Sequence, residues 1–152
     1  MAASSNQVKE FLLARQQHDP AASVDWSARR SQWVKAIKAL YRFVQHDLLA
    51  GAISAGLVTT SISDKSIEEE FLGKYKAPEL TIKMGGESVR LSPRGRNTIG
   101  TQGRVDLVGD LDTVTLLLDA EGSWTVVLSR VPRNVVPLDD KSFTAALKQV
   151  MR

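Results

Sequence analysis

From Leu80 to Ser129, apolar and polar residues alternate in short runs, and the runs are separated by glycine-bearing turns. Nothing else in the chain limits its fold so strongly. A period of two places successive side chains on opposite faces of a strand, and it does not fit the helical period of about 3.6. Leu80, Ile82 and Met84 alternate with Thr81 and Lys83, while Val89 and Leu91 alternate with Ser88 and Arg90. Gly85-Gly86 lies between these runs and reads as a hairpin turn, since glycine reaches positive φ without a Cβ clash. Pro93 is expected to end the second strand, because proline cannot donate to a ladder. Arg94 to Gly103 carries Gly95, Gly100 and Gly103 and reads as an irregular loop.

Val105 and Leu107 resume the alternation, and Gly109 stops it. Val114, Leu116 and Leu118 form one face of the next strand, Glu121-Gly122 turns the chain, and Trp124, Val126 and Leu128 alternate with Thr125, Val127 and Ser129. Connections this short can join only antiparallel neighbours. The region is therefore a meander with one face of large apolar side chains.

Upstream, the period lengthens. Ser4 to Gln17 reads as a short helix, with Val8, Phe11 and Leu12 on one side and Ser4 with Gln7 as a capping box. Asp19-Pro20 should stop it, which makes residues 1–24 a loosely attached helix and linker. Asp25 is the expected N-cap of a long helix running to about Leu49, with Gly51 as its C-cap. Trp26, Trp33, Val34, Ile37, Leu40, Tyr41, Val44 and Leu48 fill one arc of that helix, and Lys35, Lys38 and Arg42 lie opposite.

Leu57 to Ile62 is rich in β-branched residues and reads as a strand, followed by a turn at Ser63-Asp64-Lys65. Ser66 to Tyr75 is its expected partner, although Glu68-Glu69-Glu70 also suits a helix. After Pro132 and Pro137, Asp139 or Asp140 caps a last helix with Phe143, Ala146, Leu147 and Val150 as its stripe. Residues 1–152 are thus expected to form one α+β domain. It has two N-terminal helices, a mostly antiparallel meander sheet of about six strands, and a C-terminal helix packed on one sheet face. Trp33 and Trp124 are both expected in its core.

With no cysteine, the chain has neither disulfides nor thiolate chemistry. A net charge of +3 is a modest excess and points only gently to an anionic partner. The weakly polar run from Leu48 to Val58 is shorter than the roughly 20 residues that span a bilayer, and MAASSNQVKE lacks the basic and apolar regions of a secretory leader. The expectation is a cytoplasmic chain without a membrane segment.

Only His18 and His46 are present, each followed by aspartate and each near an expected helix end, where a cation is favoured. Two isolated imidazoles without cysteine do not make a metal site, so no metal and no cofactor are expected. Gly95 to Gly103 is glycine-rich, but no Gly-Lys-Ser/Thr closes it and a strand follows where a phosphate-binding loop needs a helix. Asp110, Asp112, Asp119 and Glu121 crowd two turns, which turn chemistry and solubility explain as well as paired-carboxylate catalysis does.

Charge is segregated along the meander. Lys83, Arg90, Arg94, Arg96 and Arg104 face only Glu87 in their stretch, whereas Asp106 to Glu121 contains no Lys or Arg. Cross-strand pairing is one explanation. The other is a basic recognition loop from Arg94 to Arg104, in which arginine forks suit carboxylate or phosphate. On that second explanation the loop protrudes and leaves Arg94 and Arg96 without carboxylate partners.

Three functional readings follow. The first is a non-enzymatic protein that binds another protein bearing an acidic patch. The second is a nucleic-acid-binding module that uses loop 94–104 and the basic face of helix 25–49. The third is a hydrolase built on the acidic cluster. The candidate binding residues are Arg90, Arg94, Arg96, Arg104, Lys35, Lys38 and Arg42.

Overall fold

The computed structural model describes residues 2–18, 25–96 and 102–152. It is an α+β fold with helices α1 (Ala2–His18), α2 (Trp26–Phe43), α3 (Ala50–Ser54) and α4 (Asp140–Val150). Between them lie strands β1 (Thr59–Glu69), β2 (Gly73–Met84), β3 (Glu87–Gly95), β4 (Gly103–Val108), β5 (Thr113–Leu118), β6 (Trp124–Arg130) and β7 (Arg133–Pro137). The strands form a single antiparallel meander in sequence order, with seven strands rather than about six. The added strand is β7. It lies between Pro132 and Pro137, prolines that in the sequence resemble a loop; as an edge strand it tolerates proline at its last residue.

The core lies on one face of this sheet. The register aligns Leu80, Leu91, Leu107 and Val114 across β2 to β5, and Val105, Leu116, Val126 and Val136 across β4 to β7. Trp33, Ile37, Leu40, Tyr41 and Val44 from α2 and its continuation, and Phe143, Ala146 and Val150 from α4, join the same buried cluster. Both helices therefore cover one sheet face. Asp25 caps α2 by accepting from the Ala28 N–H at 3.0 Å. Asp139 and Ser142 form a capping box at α4.

Several boundaries differ from the sequence-based expectation. The long helix does not stop at Gly51. It passes through a π-helical turn, Val44–Leu48, into α3. It closes at Gly56, whose φ is +74°. The Leu57 N–H donates to Ala52 O at 2.9 Å and the Gly56 N–H to Ile53 O at 3.0 Å. Both bonds match a Schellman motif with glycine just past the cap.

Ser63-Asp64-Lys65 is not a turn, because these residues sit mid-strand in β1, paired with Glu79, Pro78 and Ala77. The turn falls instead at Glu70–Leu72, with Phe71 at φ +67°. The segment 66–75 is accordingly split between the end of β1 and the start of β2. Pro93 does not end β3 either. It is buried within the strand at a register shift, a site that removes the need for its missing N–H.

Trp33 is 1% exposed, as expected, whereas Trp124 is half-buried, its ring centroid 6.1 Å from that of Trp33. Trp26 stacks on Phe71 at 4.9 Å instead of entering the core. Val8, Phe11 and Leu12 of α1 are all more than half exposed. α1 begins at Ala2, so Ser4 lies within the helix and is not its N-cap, while the Asp19-Pro20 stop, the linker 21–24 and the tip of the glycine loop lie outside the described residues.

Candidate functional site

The sheet face opposite α2 and α4 carries a buried polar row. Ser92 pairs with Asp106 across β3 and β4, and Asp106 pairs with Thr115 across β4 and β5. Asp106 is 2% exposed and fully engaged. Arg104 holds it with both arms of its fork, Nε to Oδ1 at 2.9 Å and Nη2 to Oδ2 at 3.1 Å. Arg94 donates to Oδ2 at 2.9 Å, and the Thr115 hydroxyl donates to Oδ1 at 3.1 Å. Burial by itself would raise the Asp106 pKa. The hydrogen bonds and charges of Arg104 and Arg94, with the hydroxyl of Thr115, outweigh it and hold the carboxyl below its ordinary value.

Beside this clamp, the Lys65 ammonium donates to Ser92 Oγ at 2.8 Å and to the Pro93 carbonyl at 2.9 Å. The Ser92 hydroxyl donates to Glu79 at 2.8 Å, and Arg90 lies 3.9 Å from Glu79. Burial, then the charge of Arg94, lowers the Lys65 pKa.

Of the arginines expected to form a recognition loop, Arg94 and Arg104 are thus ion-paired within the chain. Arg94 is not the free cation that a protruding loop requires. This is the cross-strand pairing offered as one explanation of the charge segregation, with Arg94 on β3 reaching Asp106 on β4. One buried aspartate serves two arginines, and Arg104 is its own strand neighbour two positions away.

Arg96 has a different setting. Its guanidinium donates to Gln102 Oε1 at 2.5 Å and its backbone N–H to Glu69 Oε2 at 3.1 Å. Glu69 in turn accepts from the Tyr75 hydroxyl, and Tyr75 accepts from the Trp33 indole N–H at 3.0 Å. A relay therefore runs from the core tryptophan to the Arg96 backbone. A Cβ on Gly95 would lie 2.6 Å from Glu69 Oε1, so any larger residue there would push this carboxylate aside. Sequence reading missed the relay because Glu69, at the end of β1, and Arg96, just past β3, are 27 residues apart.

The third basic group is on α2. Lys35, Lys38 and Arg42 are exposed and make no ion pair among the described residues. Because α2 covers the core face, this row and the Asp106 clamp lie on opposite sides of the sheet. Lys38, Arg42, Gln45 and His46 line a groove of about 300 Å³ with Ile62 and Pro78. The groove runs beside β1, the edge strand. Gln45 donates to the Thr60 hydroxyl at 3.1 Å and ties the helix to that edge.

The acidic residues of the two turns serve the backbone. Asp119 accepts from the Glu121 and Ser123 N–H groups, both at 2.9 Å, and Asp112 accepts from Thr113 N–H at 2.7 Å. Asp110 pairs with Arg152 at 2.8 Å. Among the described residues, no group of three His, Asp or Glu side chains could hold a metal ion, and no helix is long and apolar enough to cross a membrane. Comparison of the chain with protein-family models, with curated proteins and with solved structures finds no match.

Proposed function

We propose that this chain acts by binding another protein, taking an acidic extended segment of that partner as an added strand on β1. The observation behind this reading is the contrast between the two sheet edges. β7 has five residues, ends in Pro137 and follows Pro132, so it is blunted against pairing. β1 has eleven residues, contains no proline and pairs with β2 without a register shift. Among the described residues its outer side has no strand beyond it. A long regular edge is a template for strand addition, in which main-chain hydrogen bonds supply affinity and flanking pockets supply specificity.

The flanking groove here is basic, through Lys38 and Arg42, and it includes Ile62, which is 53% exposed. Charge complementarity therefore favours an acidic occupant. A second copy is disfavoured, because continuing the antiparallel sheet across β1 would bring two such basic rows together on one face.

The test is capture of partners from the native host by the wild-type chain and by the double variant Lys38→Glu with Arg42→Glu. Loss of the captured protein from the double variant, with retention by Lys83→Glu, supports the reading. Equal capture by both, or salt-dependent binding of generic DNA instead of protein, refutes it.

A further inference from the structure

At the other end of α2, a cleft of about 250 Å³ opens between the helix and the β5–β6 turn. Arg29, Gln32, Arg96 and Gln102 bring polar groups to it, and Trp33 and Trp124 bring aromatic ones. Neither guanidinium makes a side-chain ion pair among the described residues. Arg29 instead lies 5.3 Å from the Trp26 ring, and Arg96 uses one arm on the Gln102 amide. Each guanidinium has five N–H groups, so donors remain on both.

We propose that this cleft binds a phosphomonoester attached to an aromatic body, the phosphate held between Arg29 and Arg96 and the body lying against Trp124. Two arginines converging on one cleft suit the bidentate geometry and double charge of a phosphate better than a single carboxylate. The cleft is also organised in advance. The relay from Trp33 through Tyr75 and Glu69 fixes the Arg96 backbone, and Gln102 orients its head group. Sites whose groups are held before binding lose less entropy on binding.

Trp33 cannot shift to close the cleft. It is buried against Gly103, where a Cβ would lie 2.2 Å from the ring. Trp124 is half-buried and so offers accessible ring surface. The lining contains one carboxylate, Asp119, with Oδ1 already engaged by two turn N–H groups. Burial, then the nearby Arg29 charge, holds the Arg96 pKa below its ordinary value, and the Glu69 carboxylate offsets this only in part. The cleft lies apart from the groove formed by Lys38, Arg42 and Ile62, and touches β1 only through Glu69 at that strand's end.

The experiment is a titration of the full chain with phenyl phosphate, benzoate and inorganic phosphate, followed by tryptophan emission and by calorimetry. Phenyl phosphate should shift the emission saturably and bind about tenfold or more tighter than either other probe. Arg29→Gln and Arg96→Gln should each weaken it about tenfold or more, and Trp124→Leu should reduce it to the level of inorganic phosphate. Arg29 makes no ion pair among the described residues, so its variant keeps the test open if Arg96→Gln does not fold. Absence of saturable binding, equal affinity for benzoate, or unchanged affinity in a folded Arg29→Gln variant would overturn the proposal.

Discussion

The Tyr41 hydroxyl donates to the Pro78 carbonyl at 2.7 Å, just past the point where the ladder between β2 and β3 ends. The same hydroxyl lies 3.0 Å from the Leu91 carbonyl. Pro78 has no N–H with which to continue the ladder, and a buried carbonyl left unpaired costs about 1–3 kcal/mol. The helix thus completes the hydrogen bonding that the sheet leaves open. Burial, followed by the charge of Glu79, pushes the phenol well above its ordinary value and keeps it a donor. Tyr41→Phe is expected to lower stability by about 1–3 kcal/mol. Urea unfolding at unchanged m checks this, and an unchanged midpoint would show that the hydroxyl is dispensable.

Asp106→Asn should destabilise by about 2–3 kcal/mol at neutral pH, since it removes the negative charge that two arginines share and replaces one acceptor oxygen with a donor amide group. The pH dependence has a definite sign. The folded carboxyl titrates below the unfolded value of about 3.9, so the unfolded chain binds more protons there as pH falls. Its contribution is complete above that value and disappears as pH drops through the folded value. The gap between wild type and variant should therefore be constant from about pH 6 to 8 and shrink below about pH 4. A gap independent of pH down to acid unfolding would sink the ion-pair account.

Gly103→Ala places a methyl group against the Trp33 ring, which is 1% exposed and has no room to yield. A loss of about 3 kcal/mol or more is expected from this overpacking. Trp33→Ala should cost about 3–5 kcal/mol, and Trp124→Ala distinctly less, because the second indole keeps part of its surface in water. Equal losses at the two tryptophans would contradict their unequal burial.

Dialysis against a chelator should leave the unfolding temperature unchanged. The two histidines are remote in sequence, His46 is exposed, and the described residues contain no three-ligand cluster. A marked fall in Tm would reveal a metal that those residues do not account for.

Some of this protein is local in origin and was readable from the chain alone. The Gly85-Gly86 hairpin, the caps at Asp25 and Asp139, the alternation through Trp124 and the stripe Phe143, Ala146 and Val150 each depend on neighbours within a few residues. Backbone sterics and side-chain periodicity act over that range, so the α+β class and the antiparallel meander followed from them. What tertiary structure decided lies wherever the deciding partner is distant. Ser63-Asp64-Lys65 has turn composition yet pairs with β2, because Lys65 reaches Ser92 and Pro93. Pro93 is tolerated mid-strand because a bulge excuses its missing N–H. Arg94 and Arg104 carry the same charge in any reading of the sequence. Only the pairing of β3 with β4 converts them from a recognition pair into the clamp on Asp106, since an ion pair is set by separation in space and not by separation along the chain.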